Sequence, residues 1–253
     1  MTNEHATKEL LFKMADDALI IGHRNSEWTG IGPTIEEDIA FSSMSQDKIG
    51  HAQALYTLLH EHFNEADPDA LGFGRTATNF KSCWLVELPI GAYDFTLMRH
   101  FLFDHAEILR YQSLQQSSFT PLAQLSGKII GEIKYHILHA NTWVKQLSTS
   151  TEEAHARIQT ALNTVFPYAL GIFETGDNEQ ALINDATFIG EQALQAHWYQ
   201  KISGLLNSYG LTVPNIADTN PVYGGRKGFH SEHLSPLLIE MTEVFRIDET
   251  AEW

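Results

Sequence analysis

A long helical pattern contains Gly131-Glu132-Ile133-Lys134-Tyr135-His136-Ile137-Leu138-His139, within a segment that spans residues 121–146. Apolar side chains recur there at steps of three and four residues, the spacing that lays them along one face of a helix, at Leu122, Leu125, Ile129, Ile133 and Ile137. At about 100° per residue, Glu132 and His136 fall at the edge of this apolar stripe. We therefore expect both side chains to face the packed side of the helix, where each needs a partner.

Three earlier segments have the same periodicity, and they predict helices over residues 4–24, 34–63 and 94–116. Residues 64–93 contain Pro68, Gly72, Gly74, Pro89 and Gly91, which favour a long connection over a tight turn. Two helical pairs joined by a long crossover are typical of a ferritin-like four-helix bundle. Further helices are predicted over residues 152–173, 179–207 and 231–246. The prediction is one all-α domain over residues 1–253, with a bundle core at about 4–148 and extra helices within 152–247.

Composition excludes several classes of function. The 16 basic and 32 acidic residues give a formal charge of −16, which argues against binding to nucleic acid or to an anionic membrane. No apolar run approaches the roughly 18 residues of a membrane span, and residues 1–9 lack the pattern of a signal peptide, so we expect a cytoplasmic protein. Cys83 is the single cysteine, so any metal would be held by carboxylate and imidazole groups.

A second carboxylate and histidine pair, Asp47 and His51, repeats the pattern of Glu132 and His136. With Asp104 and with Asp16 or Asp17, each of the four helices then supplies one acid. A carboxylate-bridged di-iron site requires a Glu from two helices and Glu-x-x-His from the other two.

Counting three residues onward from Asp47 and Glu132 gives Gly50 and Tyr135, so the imidazole ligands are missing from those positions. The candidate metal site is therefore a vestigial one, and its expected members are Asp47, His51, Asp104, Glu132 and His136. The residues leave three alternatives open for it. They are a metal-free polar core neutralised by histidines and by Arg24, Arg99, Lys128 or Lys134, a working di-iron centre, and a single non-catalytic ion.

A second candidate site lies near the C-terminus, where two cations and three glycines precede a predicted helix. Backbone N–H groups of such a loop can bind an anion. The alternative is a tight loop that anchors the last helix to the fold or to a partner. The residues of this loop that we consider are Gly224, Gly225, Arg226, Lys227 and His230.

Several stretches of the chain resemble one family. They are Gly-His-Arg-Asn-Ser-Glu-Trp-Thr-Gly at 22–30, Asp47 with Gly50 and Gln53, Leu-Val-Glu-Leu-Pro at 85–89, Glu132 with Tyr135 and His136, and Gly-Gly-Arg-Lys-Gly-Phe-His-Ser-Glu-His-Leu at 224–234. In these residues the chain resembles the structural C subunits of the bacterial multicomponent phenylacetyl-CoA oxygenases, the ring 1,2-phenylacetyl-CoA epoxidases. Departures from the family pattern are His51, His105 and the run from Asp104 to Glu107, which are rich in possible ligands.

The resemblance implies a ferritin-like subunit with no cofactor and no activity of its own. Its partner would be a homologous catalytic A subunit that carries the di-iron centre, in a complex that uses O2 and NADPH to epoxidise phenylacetyl-CoA during aerobic phenylacetate degradation. Other subunits of that complex are implied as partners too. The rival hypothesis is a di-iron monooxygenase that acts alone through the degenerate site, and metal storage is a weaker third. We also predict self-association through helix faces, because apolar side chains such as Trp143, Trp198 and Phe229 exceed what one bundle buries.

Overall fold

The computed structural model describes residues 3–248, and within this range the secondary structure is helical, with no β-strand. The helices are α1 Asn3–Ser26, α2 Ile35–Phe63, α3 Pro68–Phe73, α4 Trp84–Glu87, α5 Tyr93–Leu114, α6 Thr120–Ser148, α7 Glu152–Leu170, α8 Glu179–Asn184, α9 Glu191–Ser208 and α10 Leu234–Met241. The predicted fold class, all-α of the ferritin-like type, is confirmed. None of these helices is long and apolar enough to cross a membrane.

The described residues form two compact units. The α2 unit contains residues 8–89 and 224–248, and the α6 unit contains residues 3–7 and 90–223. The single domain over residues 1–253 stays a prediction, and its first two and last five residues lie outside the described range.

Local signals define α2 at both ends. The Thr34 side chain caps the helix by accepting a hydrogen bond from the Glu37 backbone N–H at 3.4 Å, and acids in the first turn complement the helix dipole. The helix ends at Asn64, which has a left-handed backbone with φ 55°. Ser45 Oγ donates to the Gly22 carbonyl at 2.6 Å and joins α2 to α1. The predicted crossover over residues 64–93 contains α3 and α4 as short helices.

In the α6 unit, α5 packs against α6, α7 and α9. Trp198 on α9 is fully buried, and its indole Nε1 donates to the Leu102 carbonyl at 3.0 Å. The predicted use of Trp198 as surface for self-association is therefore wrong, whereas Phe229, in the α2 unit, is 71% exposed.

Two predicted helices differ from the structure. The segment 179–207 is broken after α8, because Ala186 and Gly190 have positive φ angles of 58° and 92° that a continuous helix does not allow. The last helix is shorter than the predicted 231–246. It begins at Leu234, which keeps Pro236 within the first turn, where proline is tolerated.

Candidate functional site

The side chains of α6 that face the interior are not all those expected from the sequence. His136 is fully buried, as is Ile133, three residues before it. Glu132 and Tyr135 are exposed, so the expected inward orientation of Glu132 is wrong. The interior stripe runs through Ile129, Ile133, His136 and Ala140, and Glu132 lies about 100° away from Ile133 around the helix.

The same displacement by one residue occurs on α2. Lys48 is 0% exposed and His51 is 3% exposed, whereas Asp47 is half-buried and Gly50 is exposed. The interior-facing residues three apart are therefore Lys48 and His51. The spacing of Asp47 from Met44 and His51 predicted an inward orientation for Asp47, but Lys48 also lies three or four residues from both, so the spacing does not distinguish the two.

These orientations change the comparison with the di-iron pattern. A Glu-x-x-His ligand pair requires two side chains three residues apart on the interior face. Lys48-x-x-His51 and Ile133-x-x-His136 meet that spacing, so both helices retain the imidazole and lack the carboxylate. Taken helix by helix, α2 has an ammonium group and α6 has a hydrocarbon in the position where a Glu-x-x-His pair supplies an anionic ligand, so neither helix offers the pair that a di-iron centre requires. Within the described residues, no three His, Cys, Asp or Glu side chains are arranged to hold a metal ion.

Asp104 lies inside the α6 unit among histidines. Its Oδ2 is 2.6 Å from Nδ1 of His100, and its Oδ1 is 3.8 Å from Nδ1 of His136. The His100 ring centroid lies 5.9 Å from that of His136 and 5.6 Å from that of His139. Asp104 and His136 are thus brought together as the sequence predicted, and His100 is an additional member that the sequence pattern did not indicate.

The imidazoles of this cluster are in a strongly desolvated setting. Burial lowers the pKa of His100 to about 4, although the neighbouring Asp104 carboxylate acts in the opposite direction. Burial also lowers the pKa of His105 to about 4, and its Nε2 lies 2.9 Å from Oδ1 of Asn141. Both rings are therefore neutral at pH 7, and a neutral imidazole avoids the cost of burying a further charge.

The loop around Arg226 uses its cation internally. Arg226 donates to both carboxylate oxygens of Asp17, at 2.8 and 2.7 Å, and to the Lys81 carbonyl at 2.6 Å. His230 Nδ1 lies 2.6 Å from Oε1 of Glu87, and its Nε2 lies 3.0 Å from the Phe80 carbonyl. These contacts favour the anchoring alternative for residues 224–230, because Arg226 and His230, which an anion would use, already have partners.

The α2 unit contains a further buried cluster of polar side chains, which the sequence analysis did not anticipate. The Arg75 guanidinium forms an ion pair with Asp16, whose Oδ1 also accepts a hydrogen bond from the Tyr56 hydroxyl at 2.5 Å. Burial, followed by the charge of Asp16, raises the pKa of Tyr56 well above its ordinary value. Arg75 lies in the crossover, where no periodic pattern reports its partner, so the sequence offered no signal for this contact.

The helical fold and the altered ligand pairs define a ferritin-like protein whose inward-facing ligand pairs lack the carboxylates of a di-iron centre. The family model of the phenylacetic acid catabolic proteins matches residues 1–253, so the chain belongs to that family. It is also similar to the C subunit of the 1,2-phenylacetyl-CoA epoxidase of Escherichia coli strain K12. The two sequences are 29% identical over 241 residues, which cover 95% of this chain and 96% of the relative. The resemblance seen in the sequence to the C subunits is thereby confirmed, and the chain has a role in phenylacetate catabolism.

Proposed function

We propose that this chain is a non-catalytic structural subunit of a 1,2-phenylacetyl-CoA epoxidase complex, in which it holds a homologous di-iron catalytic subunit. The observation that carries this proposal is the identity of the interior residues on α2 and α6. Lys48 and Ile133 occupy the positions from which a di-iron protein of this fold would supply carboxylates. The full-length similarity to the C subunit of an epoxidase supports the assignment to such a complex.

The charge balance explains why Lys48 and Ile133, in place of carboxylates, argue against iron binding by these helices. Two ferrous ions bring a charge of about +4, which carboxylates in the ligand set offset. Lys48 adds a positive charge in a fully buried position, and Ile133 offers no donor atom. Each helix retains an imidazole, His51 on α2 and His136 on α6, but an imidazole is a neutral ligand and does not replace the missing carboxylate of its own helix.

Co-expression tests the scaffolding role directly. The chain should co-elute in gel filtration with the catalytic subunit encoded for the same complex, and omission of this chain should abolish the epoxidation of phenylacetyl-CoA by the remaining subunits. A catalytic subunit that elutes alone and turns over at its full rate without this chain would sink the proposal.

One observation favours a second candidate, a di-iron monooxygenase that acts alone: the imidazoles of His51 and His136 are buried, and imidazole is a ligand of iron. Metal analysis after expression in iron-rich medium separates the two functions. About two irons per chain would support the rival, and a content near zero would remove it. The catalytic subunit prepared in parallel serves as the positive control for iron loading.

A further inference from the structure

The contact between His230 and Glu87 places both ring nitrogens of the histidine against hydrogen-bond acceptors. Nδ1 lies 2.6 Å from Oε1 of Glu87, and Nε2 lies 3.0 Å from the Phe80 carbonyl oxygen. A carbonyl oxygen only accepts, so Nε2 must carry a hydrogen. A neutral imidazole has one hydrogen for its two nitrogens, and Nε2 uses it. The contact between Nδ1 and Oε1 therefore requires a second hydrogen, because two lone pairs would otherwise face each other.

The other contacts of Glu87 show which groups carry charge. Its Oε1 also accepts from the Ser82 hydroxyl at 3.0 Å, and its Oε2 accepts from the Ser231 backbone N–H at 2.8 Å. The Glu87 side chain is 0% exposed and that of His230 is 5% exposed, so both are removed from water. A carboxylate beside an imidazolium satisfies all of these contacts. Loss of the proton would leave a buried anion against an imidazole lone pair, which is costly.

The neighbouring charged groups already have partners of their own. Arg24 on α1 donates to the backbone carbonyl of the buried acid at 3.0 and 2.8 Å, and it pairs with Glu27. Arg226, four residues before the histidine, pairs with Asp17. The Cys83 thiol is also buried here and is uncharged at neutral pH, because burial raises its pKa well above the ordinary value. The carboxylate of the pair is therefore the main charge that holds the proton on the ring.

The pair joins two segments that are distant in the sequence. It ties residues 230–231 to residues 80–87, and α10 begins three residues later at Leu234. The loop before it exposes Lys227 and Phe229. Arg226 and His230 anchor this loop from inside, and only the imidazole can give up a proton in ordinary buffers, since a guanidinium stays protonated in proteins.

We propose that His230 and Glu87 form a proton-dependent latch. With its proton the pair fastens residues 224–231 to residues 80–87, and without it the loop opens. The closed state binds one more proton at this pair than the open state, so closure is favoured as the pH falls and opening is favoured as it rises. The latch is therefore closed at pH 7 and opens toward pH 9. It is a property of the isolated chain and does not depend on the proposed function.

Nuclear magnetic resonance tests the proton count directly. The full-length chain is labelled with 15N-histidine, and the His230 ring is assigned from the signals that disappear in His230→Gln. Both ring nitrogens should be protonated at pH 7. A His230 ring with an unprotonated Nδ1 at pH 7 overturns the proposal.

Limited digestion with trypsin tests the opening, because Lys227 provides a cleavage site within the loop. Cleavage after Lys227, followed by mass spectrometry, should be about tenfold faster at pH 9 than at pH 7 in the wild type, since proteolysis reports the population of the open form. Glu87→Gln is the matched variant. Its side-chain amide can donate to Nδ1 of a neutral imidazole and still accept from Ser231, so the loop should stay closed at both pH values.

The response of Glu87→Gln also corrects for the pH dependence of trypsin itself. His230→Gln removes the imidazole and should be cleaved rapidly after Lys227 at both pH values. Circular dichroism verifies the folding of each variant. Equal pH responses of the wild type and Glu87→Gln overturn the latch, and the protonation of the His230 ring decides the question if Glu87→Gln does not fold.

Discussion

The α2 unit and the α6 unit bury polar groups in different ways. In the α2 unit, the buried acids Asp16, Asp17 and Glu87 each contact a basic side chain that is 59, 209 or 143 residues away in the sequence. In the α6 unit, His100 and His105 are buried with pKa values of about 4 and are neutral at pH 7.

The α6 unit also contains an ion pair, between Arg110 and Glu191, but its histidine cluster has no counterpart among the described residues of the α2 unit. The difference teaches that the α2 unit pairs each of these buried acids with a distant basic side chain, whereas the α6 unit has one such pair and also buries histidines that stay neutral. The two should therefore respond differently to mutation and to pH.

The largest effect is expected when one partner is removed from an ion pair of the α2 unit. Arg226→Met leaves the Asp17 carboxylate buried without its guanidinium, and such changes cost about 3–5 kcal/mol. Urea unfolding should show this loss in the free energy of unfolding. Lys227→Met, at the neighbouring and less buried position, is the control and should change stability by less than about 0.5 kcal/mol. Similar midpoints for the two variants would refute the structural role assigned to Arg226.

The next largest effect is expected from acidification, which acts through histidines that packing desolvates: His100 and His105 in the α6 unit, where the pKa shifts are largest, and the half-buried His23 in the α2 unit, whose pKa desolvation also lowers. The folded pKa values of His100 and His105 lie below the ordinary 6.5, so the unfolded state binds more protons between pH 6.5 and 4. Stability is therefore complete above pH 6.5 and falls as the pH decreases through this window, by at most roughly 3 kcal/mol per histidine.

Unfolding measurements between pH 7 and 5 isolate the histidines, because ordinary carboxyl groups titrate below this range. His105→Gln, whose amide can still reach Asn141, should flatten the pH dependence. A slope identical to that of the wild type would exclude His105 as a contributor. Arg226→Met should lower stability without changing this slope between pH 7 and 5, which separates the buried ion pair from the buried neutral histidines.

Glycine replacements give the smaller effects and again distinguish the units. A Cβ on Gly225, in the α2 unit, would lie 2.0 Å from the Ser82 carbonyl oxygen, a clash with backbone. Gly225→Ala should therefore displace the loop that carries Arg226 and cost about 1–3 kcal/mol. Thermal unfolding measures the loss, and limited proteolysis reports whether the loop is released. An unchanged Tm would show that the fold does not depend on the close approach of Gly225 to the Ser82 carbonyl.

The smallest effect is expected from Gly204→Ala in α9 of the α6 unit. No atom lies within 4 Å of the new Cβ, so only helix propensity changes. The gain in stability should be at most about 1 kcal/mol, observed as a small rise in Tm. A decrease would contradict the open space seen at this position.

Most of the helical architecture was predictable because it depends on local signals. The starts of α2 and α7 follow from Thr34 and Thr151, whose side chains accept hydrogen bonds from the backbone of the first turn. The break between α8 and α9 was missed because the apolar pattern continues on both sides of Gly190. The candidate site was predicted only in part. Asp104, His51 and His136 are buried as expected, but Lys48 and Ile133, rather than Asp47 and Glu132, complete the interior stripes.

The sequence by itself determined the all-α class, the principal helices and the family, because periodicity, capping residues and extended stretches of similarity are all properties of the linear chain. Only the tertiary structure decided which of two adjacent residues faces the interior. One residue turns a helix by about 100°, so residues at the edge of an apolar stripe are assigned by what packs against them. Only the tertiary structure revealed that Arg226 neutralises Asp17, since no local pattern relates residues that far apart in the chain.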